Sequence, residues 1–135
     1  MKYFKKDKVY PNEAFVQEAI EHYFLAKDYK LEESRYVDLI AVKPNDRWVV
    51  EAKGMTSQIT VDFNTCIGQL AKSMTTSDTK YAIALPNEIQ YKKQCMNIPD
   101  YFRITNHLYI LVINENAQIQ VIGPADRIEN TWVII

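Results

Sequence analysis

Three ionisable residues interrupt apolar runs of the sequence, and their types suit phosphodiester chemistry. Asp38 lies inside YVDLIAV (residues 36–42), and Glu51 and Lys53 lie near the end of RWVVEAK (residues 47–53). A buried charge costs several kcal/mol of folding free energy unless it is paired or binds a metal. The three residues therefore call for one shared explanation.

Two converging carboxylates repel each other, and a divalent cation relieves that repulsion. Mg²⁺ takes one or two carboxylates and fills its remaining positions with water and phosphate oxygens. Asp38 and Glu51 are the predicted metal ligands, the backbone carbonyl of Ala52 is a further candidate ligand, and Mn²⁺ is expected to substitute. The ion would polarise a phosphodiester and acidify a water, while Lys53 orients that water and stabilises developing negative charge.

The two runs are predicted to form adjacent strands of a hairpin. Both are rich in β-branched residues, and the turn-forming string Lys43 to Asp46 separates them. Side chains alternate along a strand, so Glu51 and Lys53 share a face, and pairing can bring Asp38 beside them. The structural alternative is a strand-end ion pair between Glu51 and Lys53, with Asp38 capping a turn.

The succession VDLIAV, a short turn and VVEAKG resembles the PD-(D/E)xK nuclease superfamily, which has the restriction-endonuclease-like fold. The resemblance covers residues 12–86 and implies a core of a helix, three strands, a helix and a strand. It implies that Asp38 and Glu51 hold the metal and that Lys53 assists hydrolysis of nucleic acid, with DNA as the expected substrate. Val37 stands where the motif has proline, a substitution that many members share.

Two further residues join the candidate catalytic set through the same resemblance. Gln69, in CIGQLAKSM, resembles an accessory position beside the lysine, where an amide can bind a phosphate oxygen or a water. The alternative for Gln69 is the exposed side of its helix. The family often adds an acid of the first helix, and Glu13 is preferred to Glu18 and Glu21 because it flanks the apolar stripe. The alternative for Glu13 is a favourable charge in the first helical turn.

The remaining patterns predict an α/β protein with a mixed central β-sheet flanked by helices. Its restriction-endonuclease-like αβββαβ core is followed by a C-terminal helix and hairpin. Apart from the two runs above, the predicted elements are a helix at 11–25, a strand at 29–34, a helix at 62–74, a strand at 81–86, a helix at 87–96 and a hairpin of 108–113 with 118–122. The last residues, TWVII, suit an edge strand, a docked tail or a dimer contact.

Length and composition predict one domain over residues 1–135. The chain is 47% hydrophobic and 24% charged, as in globular proteins, and it shows neither an apolar run of membrane-spanning length nor a signal peptide. A cytoplasmic protein with no membrane partner is expected. Cys66 and Cys95 lack metal-ligand spacing and are predicted to be buried free thiols.

The expected partner is nucleic acid, although the net charge of −1 gives no general attraction to it. The terminal lysines Lys2, Lys5, Lys6 and Lys8 are candidates for phosphate contacts, or else form a solvated end. A homodimer gripping two strands is expected from the small size. The alternative function is a catalytically inactive nuclease-fold protein that binds or regulates with a partner, although such proteins usually lack one of the three motif residues.

Overall fold

A computed structural model describes residues 8–134 of the chain. The described residues form six strands: β1 (Lys30–Glu32), β2 (Leu39–Lys43), β3 (Asp46–Ala52), β4 (Thr79–Pro86), β5 (Leu108–Ile113) and β6 (Ile119–Ile122). They also form five helices: α1 (Glu13–Ala26), α2 (Ile59–Ala71), α3 (Ile89–Met96), α4 (Asp100–Thr105) and α5 (Ile128–Thr131). The predicted α/β fold is confirmed, including the αβββαβ order followed by a helix and a hairpin. Three of the four terminal lysines lie outside the described residues.

The six strands form one mixed sheet in the order β1-β2-β3-β4-β5-β6. Strands β3, β4 and β5 run parallel, so their carboxyl ends meet at one edge of the sheet, and the outer pairings are antiparallel. The β2–β3 hairpin turns at Pro44 and Asn45, and Asn45 has a positive φ of 63°. Asparagine tolerates this left-handed conformation better than most residues, which suits it to a tight turn.

Helices cover both faces of the sheet and create two cores. Helix α1 packs Val16, Ile20 and Phe24 on a face that includes Val50 and Ala52. The opposite face, which includes Val49 and Ile83, is covered by α2, α3, α5 and the C-terminal segment. Because side chains alternate along β3, Glu51 belongs to the face beneath α2.

Helix boundaries differ from the sequence prediction in two respects. Helix α2 begins at Ile59 and ends at Ala71, so Asp62 lies in its first turn and not at its cap. Helices α4 and α5 were not predicted, because their four to six residues are too short to display a helical period. Helix α4 depends on a distant contact, since the buried Arg103 donates hydrogen bonds to the carbonyl oxygens of Gly123 (3.1 Å) and Asp126 (2.6 Å).

The C-terminal segment is a docked tail, one of the three alternatives that the sequence left open. Trp132 is buried, and its indole Nε1 donates a 2.7 Å hydrogen bond to Oδ1 of Asn87. The Gln120 amide donates to the carbonyl of Thr131 and accepts from the backbone N–H of Val133. Between residues 8 and 134, no helix is long and apolar enough to cross a membrane.

Candidate active site

Asp38 lies in a bend immediately before β2, one position outside the strand in which the sequence placed it. Leu39 pairs with Val50, so Asp38 follows in register beside Glu51. Its carboxylate Oδ2 accepts a 2.8 Å hydrogen bond from the backbone N–H of Ala52. The Asp38 side chain thus takes the place of the next backbone hydrogen bond between β2 and β3. This explains why β2 begins at Leu39, one residue after Asp38.

Glu51 and Lys53 flank the end of β3. Glu51 is 4% exposed and lies inside the strand, in register with Ile83 of β4. Lys53 is half-buried and follows the last strand residue, and its backbone N–H donates to the carbonyl of Ala84 at 3.0 Å. That bond continues the β3–β4 pairing, so the lysine backbone is held against the sheet at its carboxyl edge.

A buried thiol of α2 lies on the same side of the sheet as Glu51. Cys66 of α2 is fully buried, and burial raises the pKa of its thiol. The charges of Glu51 and Asp38 raise that pKa further, whereas the ammonium of Lys53 lowers it. The pairing of Leu39 with Val50 and the bond from the Ala52 N–H set Asp38 beside Glu51, and Lys53 follows Glu51 two positions along the chain. The catalytic roles of these residues stay predictions.

The residue after Lys53 explains how α1 reaches this site. A Cβ atom on Gly54 would lie 2.1 Å from the backbone nitrogen of Glu13, so the start of α1 rests directly on the glycine backbone. The backbone N–H of Met55 donates to Pro11 at 2.9 Å, and the buried hydroxyl of Tyr91 donates to the Gly54 carbonyl at 2.7 Å. Sequence reasoning gave Gly54 and Tyr91 no role, although a glycine directly after a strand is a known sign of close backbone approach.

Helix α1 contributes Glu13 and Gln17 to the surroundings of the site. Glu13 is half-buried in the first turn of α1. Burial is the main cause that raises the pKa of Tyr91, and the nearby charge of Glu13 is a smaller one. Gln17 donates its amide to the backbone carbonyl of Asp38 at 2.9 Å and to Glu21 at 3.0 Å. Glu18 faces away and pairs with Lys8 at 2.6 Å. Gln17 thus anchors the Asp38 backbone, a role that the sequence did not predict.

Gln69 lies on the exposed part of α2. The buried residues of this helix are Phe63, Cys66 and Leu70, which face the sheet. Gln69 is adjacent to that stripe and outside it, so its catalytic role stays a prediction from the resemblance.

The donor atoms of the site suit a hard divalent cation. Within residues 8–134 there is no group of three or more histidine, cysteine, aspartate or glutamate side chains placed to hold a metal, so Glu13 does not complete a triad with Asp38 and Glu51. The donor set is two carboxylates, with the carbonyl of Ala52 as a candidate third oxygen. Oxygen donors in that number fit Mg²⁺ or Mn²⁺, whereas zinc favours nitrogen and sulfur.

Comparisons with known proteins found solved structures with a similar fold, but they do not assign the chain to a family. The fold is similar to that of an XisH family protein from Nostoc punctiforme, with a TM-score of 0.58 and 15% sequence identity, covering 79% of this chain and 98% of that one. It is also similar to an fdxN element excision controlling factor protein from Anabaena variabilis, with a TM-score of 0.59 and 17% identity, covering 79% and 97% of the two chains. No family model and no curated protein matches the sequence.

Proposed function

We propose that this protein is a Mg²⁺-dependent nuclease that hydrolyses a phosphodiester bond of nucleic acid, with DNA as its substrate. The observation that supports the proposal is the position of Asp38 beside Glu51, fixed by the 2.8 Å hydrogen bond from the Ala52 N–H, with Lys53 as the next residue of the chain after Ala52. Two acids and one ammonium group at the carboxyl edge of a sheet provide oxygen ligands and a cationic group for a phosphate.

Each protein group has a distinct part in this reaction. When bound, the ion supplies the positive charge that polarises the phosphodiester and acidifies a water. The N–H of Ala52 orients the carboxylate of Asp38, while burial of Glu51 places its charge where electrostatic effects are strong. Lys53 orients the attacking water and stabilises negative charge on a nonbridging oxygen. Glu13 and Gln69 are proposed to assist from the first and second helices.

A second candidate function is regulation of nucleic-acid chemistry together with a partner. It is favoured by the name of one structural neighbour, an excision controlling factor, and by the net charge of −1, which offers little general affinity for nucleic acid. In this alternative the fold is kept and the partner performs or guides the cleavage.

Calorimetric titration with Mn²⁺ tests the metal site. The wild-type protein should bind the ion, and Asp38→Ala should lose that binding while its circular dichroism spectrum stays unchanged. Asp78→Ala is the control, because Asp78 is exposed in a turn at the opposite edge of the sheet. Equal Mn²⁺ binding by wild type and Asp38→Ala would refute the metal assignment.

Cleavage assays on duplex, junction, flap and single-stranded DNA and RNA test the reaction. Lys53→Ala should lower the cleavage rate about a hundredfold, as loss of one charge-stabilising group typically does. Lys93→Ala, at an exposed position of α3, should cleave like wild type. Mn²⁺ binding without cleavage of any substrate would favour the regulatory alternative, and cleavage unaffected by Lys53→Ala would contradict the mechanism.

A homodimer is proposed because the domain is small, and the C-terminal tail is proposed as its contact. Ile134 exposes 43% of its surface next to the docked segment. Sedimentation equilibrium of wild type and Ile134→Asp measures the association, and a monomeric wild type would exclude the homodimer.

A further inference from the structure

A cavity opens on the same edge of the sheet as Lys53. The residues that directly follow the parallel strands β3, β4 and β5 are Lys53, Asn87 and Asn114. Ligands of open α/β sheets bind outside the carboxyl ends of such strands. With strands about 4.8 Å apart, Asn114 lies about 10 Å along the edge from Lys53. That distance corresponds to about three stacked steps of a nucleic-acid strand at 3.4 Å each.

The cavity has a volume of about 330 Å³, which lies in the range of small-molecule sites. Its apolar wall is formed by Val112, Ile119 and Val133. Aliphatic side chains of this kind favour the face of a planar ring over a flexible, fully hydrated ligand. We refer to this space as the amide cavity, because its polar lining consists of side-chain amides alone: Asn87, Asn114, Gln118 and Gln120.

The four amides divide into two pairs with different tasks. Asn87 and Gln120 hold the docked tail through hydrogen bonds to Trp132 and to the backbone of Val133. Asn114 instead organises the turn between β5 and β6, where its Nδ2 donates to Oε1 of Gln118 at 2.9 Å.

Gln118 is exposed at the rim, and its side-chain oxygen is held by the Asn114 amide. Its backbone N–H donates to Oδ1 of Asn114 at 2.9 Å, which fixes the turn beneath it. Within residues 8–134 nothing accepts a hydrogen bond from its Nε2 group. The Nε2 group offers a donor for N7 of adenine, and the second lone pair of Oε1 offers an acceptor for its N6 amino group.

Two acidic residues follow lining residues of the cavity in the chain. Glu88 follows Asn87, and the Tyr10 hydroxyl donates to the Glu88 carboxylate at 2.7 Å and to the Asn87 carbonyl at 3.2 Å. Glu115 lies in the β5–β6 turn, close enough to raise the pKa of Tyr10 together with burial and Glu88. The lining itself carries no charge, and these two carboxylates lie outside it, as does the Lys92 ammonium at the Trp132 carbonyl (2.8 Å). An uncharged lining suits a neutral group.

We propose that the amide cavity binds a nucleobase of the substrate strand, with a preference for adenine, and that Gln118 is the residue that selects it. The proposal rests on the nuclease function, which it extends from the cleaved phosphate to the base about three steps away. The ligand is inferred from an apolar wall for the ring, the Gln118 amide for its edge and a lining without charge.

Titration of ¹⁵N-labelled protein with adenosine in the presence of EDTA tests the base site without metal or phosphodiester. The side-chain amide signals of Asn114 and Gln118 should shift saturably, and adenosine should bind more tightly than cytidine. Gln118→Ala should weaken adenosine binding about tenfold. Gln90→Ala, at an exposed position of α3, is the matched control and should leave adenosine binding unchanged.

Three results would overturn the proposal: no saturable shift, equal affinity for adenosine and cytidine, or undiminished binding by Gln118→Ala. If the cavity only accommodates the Val133 side chain, adenosine will cause no saturable shift. The outcome is separable from that of the cleavage assays. If the protein binds adenosine but cleaves no substrate, the base site is supported and the nuclease function is refuted. If it cleaves nucleic acid but does not bind adenosine, the nuclease function is supported and the base site is refuted.

Discussion

The carboxylate of Asp38 accepts its hydrogen bond from the N–H of Ala52, the residue that separates Glu51 from Lys53. A side chain that precedes β2 is thereby fixed to the end of β3. The motion of the acid is coupled to that of the two motif residues, because the donor belongs to the peptide unit between Glu51 and Ala52, and Lys53 follows Ala52 directly. The proposed ligands are therefore positioned by the fold before any ion arrives.

Substitution of Asp38 can separate its charge from its hydrogen bond. Asp38→Asn keeps an oxygen acceptor for the Ala52 N–H, so its free energy of unfolding should stay near that of wild type. Asp38→Ala leaves the donor without this acceptor and should be less stable by about 1–2 kcal/mol. Urea denaturation measures both variants. Equal stability of the two would show that the Ala52 bond contributes little.

Two glycines should respond to alanine in opposite directions. Gly54→Ala places a Cβ 2.1 Å from the backbone nitrogen of Glu13, and should lower the free energy of unfolding by about 3 kcal/mol. Gly68→Ala is the matched change inside α2, where a Cβ meets nothing within 4 Å, and should raise stability by about 0.5–1 kcal/mol. Chemical denaturation compares them, and a neutral Gly54→Ala would contradict the close crossing of α1.

The hydroxyl of Tyr91 should stabilise the segment after Lys53. Tyr91→Phe removes a buried 2.7 Å hydrogen bond to the Gly54 carbonyl and should cost about 1–2 kcal/mol of unfolding free energy. The control is Tyr101→Phe, because Tyr101 is 80% exposed. Thermal melts monitored by circular dichroism measure the difference. If both variants melt like wild type, Tyr91 does not support this strand end.

Asp46 should contribute to acid sensitivity. Burial raises the pKa of its carboxyl, but the hydroxyl of Tyr29 and the ammonium of Lys80 outweigh burial and hold the pKa below its ordinary value. A lowered folded-state pKa gives stability that is present above the unfolded value of about 3.9 and is lost as pH falls through the folded value.

Asp46→Asn should remove that part of the pH dependence. Urea midpoints of wild type and variant should therefore converge as pH falls below about 4. Asp78→Asn, at an exposed turn, should follow the wild-type curve at every pH. A constant gap between wild type and Asp46→Asn over the whole range would contradict the role of Asp46.

The sheet was predictable because its strands carry strong local signals. Leu108 to Ile113 form β5 with the predicted bounds, since an uninterrupted apolar run is typical of a strand buried on both faces. The position of Asp38 outside β2 was harder to predict from the sequence, because it depends on a hydrogen bond to a residue 14 positions away. The same holds for the Tyr91–Gly54 contact, which spans 37 positions and leaves no periodic trace in the sequence.

The crossing of α1 over Gly54 limits how this scaffold can be diversified. A mutagenesis library aimed at new substrate preferences has to keep residue 54 constant, since any side chain there collides with backbone atoms of the helix. Insertions or deletions between residues 11 and 13 would shift the backbone that rests on Gly54, and would therefore displace Lys53, which precedes that glycine. Randomisation is better directed at the β5–β6 turn, where residues 115–118 are exposed and variation leaves the proposed catalytic residues undisturbed.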